Sequence, residues 1–376
     1  MKTVFLIIAF FCYIIYSSFD QSVSSDGEYI KYIAYLFLLV ITHFGLVNNK
    51  AFLMKQYKWF IFVFILLLFA HFKMTDDNIQ TTFIPFFVFL NLISISVSKY
   101  NMKYVGISLF AFYVILILLD YNNLLRCVFS LNYDDGWECI FYNSNLASIF
   151  VCSVFCSTYL LVPNKLLNKI SFFLAILGLL ACKSRNAFLF FIIVNSFLYF
   201  KPWLLGKQKY FPLLILLFLS SSLYYMIVIE PYLVNLSLFN LFGKTEGSTG
   251  RALQILFVIQ NFDINLWGYG RSLINDAVTD ELSYVIHNLY INTLYAMGLL
   301  YFLFYLYFIS RFYIYLKNYE SRVFLLSFHV YFFFETGVAF GFALNYFLPM
   351  IIIACSALNQ VDFKFDKKYE NHNCIP

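Results

Sequence analysis

Apolar runs of about bilayer length recur from one end of this chain to the other, and nothing else limits its fold as tightly. They fall at residues 3–19, 29–47, 58–72, 81–97, 103–119, 144–162, 166–182, 186–200, 210–229, 284–309, 322–335 and 342–358. A helix needs roughly 20 apolar residues to cross hydrocarbon. The runs do not alternate with period two, which excludes an outer-membrane barrel. Composition agrees: 62% of the 376 residues are hydrophobic and only 12% charged, against roughly 25% charged in a soluble domain. The expected fold is all-α, a polytopic helical membrane protein of about 12 spans, with residues 1–376 forming one membrane domain. The last two runs read as a tight helical hairpin, because Glu335, Gly337 and Gly341 interrupt an apolar stretch too long for one span.

Charge sets the direction of threading. Lysine and arginine collect in alternate connections, such as Lys50, Lys55 and Lys58, then Lys99 and Lys103, then Lys165 and Lys169, then Arg311, Lys317 and Arg322. By the positive-inside rule these connections and both termini face the cytoplasm. One large external loop, residues 230–283, then separates the ninth and tenth spans. Met1-Lys2 and the apolar run to Phe19 have the outline of a signal peptide without a small-residue cleavage site, so a retained first helix is expected. Eight cysteines are present, with no CxxC pair and no Cys/His cluster at metal spacing. Cys127 and Cys139 share a short polar-flanked segment, and both a disulfide and two free thiols are open readings there.

Chemistry can sit only where the external segments are polar. Arg185 starts an apolar run, so its guanidinium lies at the membrane surface, as a snorkelling anchor or as a functional group. Arg251 follows a flexible Gly-Ser-Thr-Gly stretch and opens a helix-like run to Phe262. A helix start with free N–H groups beside a guanidinium suits an anionic group. Gly268-Tyr269-Gly270-Arg271 reads as a tight turn with a projecting cation. His287 is the one histidine in an external position. Asn288, Asn292 and Tyr295 follow it on one helical face, and a polar stripe on a membrane helix points to a cavity or to other helices. Neutral imidazole is the usual general base near neutral pH; a structural hydrogen-bonder is the alternative. Glu335, at the outer turn of the last hairpin, is a second acid–base candidate or a mark of the turn itself.

Several of these segments together resemble the O-antigen polymerase and ligase superfamily, the Wzy-type and WaaL-type membrane glycosyltransferases. Lys183-Ser184-Arg185-Asn186-Ala187 is similar to the family's S-R-G/A element. Gly250-Arg251, followed after a helix by Leu266-Trp267-Gly268-Tyr269-Gly270, is similar to its R…G-x-G loop. His287-Asn288-Leu289-Tyr290 leading into Gly298 is similar to its H-N-x-x-L helix entry, and Asn143-Ser144-Asn145-Leu146-Ala147 to its Asn-rich entry to a middle span. Asn186 departs from the pattern, standing where a small residue is commoner.

The resemblance implies polymerisation of undecaprenyl-diphosphate-linked oligosaccharide repeats, toward O-antigen or capsular polysaccharide, on the external face of the cytoplasmic (inner) membrane. His287, Arg185 and Arg251 would be its catalytic residues. Arg271, Tyr269, Gly268, Gly270, Trp267, Asn288, Asn145 and Glu335 would contact substrate. The arginines would hold the diphosphate, His287 would orient or deprotonate the acceptor hydroxyl, and the aromatic rings would stack on sugars. Neither a metal nor another cofactor is expected. The implied partners are the lipid-linked oligosaccharide, the bilayer, and a chain-length regulator and flippase of the same pathway, with no nucleic acid. An O-antigen ligase is the nearest alternative. A flippase or transporter of the lipid-linked repeat is the second, and would carry midplane charges and broken helices.

Overall fold

The computed structural model of the protein describes residues 2–16, 36–43, 79–97, 101–130, 136–141, 143–201, 210–229, 249–282, 286–335, 339 and 346–357, with single positions at 33, 47, 61 and 65. Most of the expected span at 58–72, part of the large loop (230–248), Gly337 and Gly341 lie outside the described residues.

All regular structure among the described residues is helical. In chain order the helices are α1 (Lys2–Tyr16), α2 (Ile79–Val97), α3 (Met102–Leu119), α4 (Tyr121–Phe129), α5 (Ser144–Leu161), α6 (Lys165–Cys182) and α7 (Arg185–Phe200). They continue with α8 (Phe211–Tyr224), extended by a wider π turn over Tyr225–Ile229, then α9 (Thr249–Asn261), α10 (Arg271–Leu282), α11 (Leu289–Tyr315) and α12 (Tyr319–Phe332). The last is α13 (Tyr346–Ala357). Four of them, α3, α5, α6 and α11, are long and apolar enough to cross a bilayer. The chain is therefore all-α with the make-up of a multi-pass membrane protein.

Asparagine caps three of these helices through its side chain, because its short carboxamide can accept from the N–H groups that a first turn leaves orphaned. Asn143 accepts from Leu146 N at 2.9 Å, Asn164 from Leu166 N at 2.9 Å, and Asn288 from Tyr290 N and Ile291 N at 3.0 Å each. The α6–α7 turn passes through Lys183 in the left-handed region, φ 54°, and Lys183 Nζ donates to Ser130 O at 3.1 Å. Trp137 braces the same turn. Its backbone N–H donates to Ala181 O at 2.9 Å and its indole to Asp120 Oδ2 at 2.8 Å.

The centre of the bundle is α12, which is buried all round from Ser321 to Phe332. A helix with no polar stripe has to be enclosed, and α5, α7, α8, α11 and α13 all pack on this one. Phe190 of α7 packs on Phe328 with ring centroids 4.4 Å apart, and Phe155 of α5 meets Phe324 at 5.8 Å. Tyr346 of α13 meets Phe332 at 5.2 Å, and Phe211 of α8 reaches the His329 ring at 6.3 Å.

The two ends of the bundle differ in chemistry. At one end Asn101 N donates to Thr3 Oγ1 at 3.1 Å, and Tyr319 OH donates to Phe197 O at 2.8 Å. Arg322 donates from Nε to Leu316 O at 2.6 Å and lies over the Tyr313 ring. The opposite end carries the starts of α5, α7 and α11 and the turn after α12.

Two features of the large loop and the helix after it were absent from the apolar pattern. One is α10, a polar helix. The other is a break in α11 at Gly298, where φ is 87° and ψ 166°. The non-helical segment Asn265–Gly270 lies across the break. Tyr269 N donates to Tyr295 O at 2.9 Å and Gly270 N to Ala296 O at 3.0 Å. In return Leu299 N donates to Asn265 O at 2.9 Å and Leu300 N to Leu266 O at 3.3 Å. Inside a membrane protein, non-helical backbone is tolerated where other protein groups satisfy it, and this pairing does so. A Cβ on Gly298 would run into the backbone of Leu266, Trp267 and Gly268, and one on Gly268 into Ala296 and Gly298.

Candidate functional site

The polar end is joined at a single carbonyl. Phe334, in the turn that ends α12, accepts from Arg251 Nη1 at 2.9 Å and from Asn186 Nδ2 at 3.3 Å. The same Asn186 amide donates to Glu335 Oε1 at 3.1 Å. Residues far apart in the chain are thus gathered from the first turns of α7 and α9 and from the turn after α12. Helix α9 reaches this place because its Ile255 packs against Leu223, Tyr225 and Phe334, which brings Arg251, one turn earlier, over the turn.

The electrostatics follow from burial. Glu335 is 6% exposed. Loss of solvent raises its carboxyl above the ordinary carboxylate range, and Arg251, Asn186 and Tyr331 pull it part of the way back. His287 precedes α11 and lies within electrostatic reach of the same arginine. Burial first, and the Arg251 charge second, lower its imidazole to about 4. The imidazole is therefore neutral at neutral pH. Among the described residues Arg251 spends one side-chain hydrogen bond on the neutral Phe334 carbonyl, while a guanidinium offers five N–H donors.

Some of the protein's unpartnered buried polar atoms belong to residues on the segments that meet here. Buried His287 Nδ1, Asn288 Nδ2, Ser184 Oγ and Gln254 Oε1 make no hydrogen bond within the protein. Buried polar groups are nearly always satisfied, so such exceptions mark a place for water or a ligand. Ser184 precedes Arg185 without capping α7 through its side chain, so the first N–H groups of that helix remain available to an anion. Gln254 lies one turn along α9 from Arg251 and faces the same way.

The residues singled out in the sequence divide into two groups. Asn186, Arg251 and Glu335 come together at the turn after α12, with His287 within electrostatic reach of Arg251. Asn288 follows His287 as the cap of α11, and half-buried Arg185 is Asn186's neighbour in the first turn of α7. Asn145 lies in the first turn of α5, where its carbonyl accepts from Ser148 Oγ at 2.8 Å, and Ser148 adjoins Tyr331. Trp267, Gly268, Tyr269 and Gly270 lie elsewhere, at the break in α11, about 15 Å along that helix from Asn288 at 1.5 Å per residue. There Phe262 and Tyr269 pack with ring centroids 5.2 Å apart. Arg271 is the first residue of α10. Cys127 and Cys139 are not joined in a disulfide, and burial pushes the Cys139 thiol up to about 11.

The sequence pattern does not mark Gln254, Tyr331 or the Phe334 carbonyl, and it marks Asn186 only as a departure from the family element. The spacing of Gln254 from Arg251 and of Tyr331 from Glu335, one helical turn each, was the available signal. No group of three or more metal-ligating side chains occurs among the described residues. No protein-family model, no curated protein and no solved structure matches the chain.

Proposed function

We propose that the protein is a membrane glycosyltransferase of the Wzy type, one that polymerises undecaprenyl-diphosphate-linked oligosaccharide repeats into O-antigen or capsular polysaccharide. The observation that carries this reading is the shared Phe334 carbonyl, which ties Arg251 and Asn186 to a turn bearing a buried carboxyl, with a neutral imidazole beside them. Arg251, with Arg185 and the uncapped start of α7, would neutralise a diphosphate and the charge that develops on it as a leaving group. His287 and Glu335 would face the acceptor hydroxyl. The basic residues of the opposite end, Lys103, Lys165, Lys201, Arg311 and Arg322 among them, support a cytoplasmic position for that end and for both termini. The polar end would then act outside the cytoplasm, alongside a flippase and a chain-length regulator.

The break in α11 is the one feature that favours a transporter. Transporters use broken helices to bind ions and substrates with freed backbone groups. Here those groups are already paired with Asn265–Gly270, so the break offers little to a passenger. A genetic test separates the readings. Deleting a polymerase leaves single repeat units on the lipid core, deleting a ligase leaves bare core, and deleting a flippase strands lipid-linked repeats in the cytoplasmic leaflet. Arg251→Gln should reproduce the deletion. Bare core or stranded repeats in the deletion strain would refute polymerisation.

A further inference from the structure

We infer that Glu335 takes the proton of the acceptor hydroxyl, and that His287 is a neutral positioning group. This inference rests on the glycosyltransferase reading above and assigns roles within that site.

The argument begins with where a positive charge can be tolerated. A proton arriving at His287 would create an imidazolium in a largely buried pocket next to the Arg251 guanidinium. Both the lost solvation and the like charge oppose it. A proton arriving at Glu335 does the reverse, removing a charge from a carboxyl that is almost fully enclosed. The groups facing Glu335 are Arg251 from α9, Tyr331 from α12 and the uncharged Asn186 amide from α7. The charged group facing His287 is Arg251 again.

Orientation makes the same distinction. An imidazole base is normally held by an acceptor on its second nitrogen, which fixes the tautomer and supports the cation. His287 Nδ1 is buried and has no such partner. The Glu335 carboxyl is fixed: Asn186 holds Oε1, and the same amide holds the carbonyl that receives Arg251. One rigid turn therefore presents an anion-binding guanidinium and a proton acceptor side by side. Burial moves that acceptor in the useful direction, toward a stronger base than a solvated carboxylate.

The step balances without a further reactant. The acceptor sugar's hydroxyl oxygen bonds to the anomeric carbon of the donor glycan. The bond from that carbon to the diphosphate oxygen breaks, and the diphosphate lipid leaves with the electron pair. The hydroxyl proton passes to Glu335, which returns it to solvent.

The test uses the full chain in proteoliposomes, supplied with native lipid-linked oligosaccharide extracted from cells deleted for this chain. Glu335→Gln should lower the turnover rate by about 10²–10⁴-fold, the usual worth of a general base, with KM changed little. It should also flatten the acidic limb of the rate profile. His287→Gln should keep that acidic limb while weakening turnover, and formate should restore part of the rate to Glu335→Ala. Thermal melting of each variant checks that it is folded. A His287→Gln profile without its acidic limb, or a Glu335→Gln enzyme with an unaltered one, would overturn the assignment and leave the function intact. A wild-type protein that elongates nothing would remove the function, and this inference with it.

Discussion

Among the described residues, two hydrogen-bonded joints tie the large loop to the bundle, and they are made of opposite materials. At the break in α11, Asn265–Gly270 meets residues 295–300 backbone to backbone, with glycine on both sides and four backbone hydrogen bonds between them. At the turn after α12, the connection is made by side chains on one carbonyl, and several buried polar atoms on the segments that meet there remain unmatched. A joint whose hydrogen bonds are complete can hold an element in place but has little left to offer a ligand. A joint with donors and acceptors to spare is only partly built by the protein, and a substrate or water can supply the remainder.

The largest effect should come from breaking the complete joint. Gly298→Val places a branched side chain at φ 87° against the backbone of residues 266–268. The strain and overlap together should cost ~4 kcal/mol or more, and the variant should be missing from membranes or melt far below the wild type. If it melts normally, the two segments are not in contact. Arg251→Gln tests the open joint and should behave differently. Removing one preorganised donor to a developing anion costs about 10²–10³ in rate. Stability should fall by only ~1 kcal/mol, because Asn186 still serves Phe334 O. A variant that loses rate and melting temperature together, as Gly298→Val does, would make the arginine a structural strut.

Asn186→Ala lies between these two. It removes the amide shared by Glu335 and the Phe334 carbonyl, leaving buried oxygens short of a donor at about 1–3 kcal/mol. Turnover should fall about 10-fold, the equivalent of ~1.4 kcal/mol, since Arg251 would still hold the turn. Melting in detergent and initial rates at saturating substrate measure both. A rate loss as large as that of Arg251→Gln would mean that Asn186 meets the substrate itself.

The same contrast explains what could be read from the chain. Apolar runs announce helices because hydrocarbon length and helical rise are fixed quantities. The expected runs at 103–119, 144–162, 166–182 and 186–200 accordingly fall within a residue or so of α3, α5, α6 and α7. Asn143 and Asn288 announce helix starts through their capping chemistry. The Gly298 break was not legible, because the flanking sequence is as apolar as any helix and its partner glycine is thirty residues away. A backbone pairing leaves no mark on side-chain pattern. Within the site, cations and the histidine were legible as costly residues in an oily chain. The shared carbonyl was not, since any residue at 334 would carry it, and neither was Asn186's double duty, which depends on tertiary placement alone.

The smallest effect is also the most specific, because the two titratable groups of the open joint pull stability in opposite directions. His287 titrates near 6.5 when unfolded and at about 4 in the protein. Its contribution is complete above pH 6.5 and is lost as the pH falls through that interval. From pH 6.5 to 5.5 the loss amounts to about 1 kcal/mol. Glu335 is shifted the other way, upward from 4.5. Its contribution is present below its unfolded value and lost as pH rises through its folded one, so acid stabilises that group. Melting curves of wild type, His287→Gln and Glu335→Gln between pH 7 and 5 separate the two. Relative to wild type, acidification should be less damaging to His287→Gln and more damaging to Glu335→Gln. Three parallel curves would mean that neither group is buried beside Arg251, and that the open joint is no more than a solvated turn.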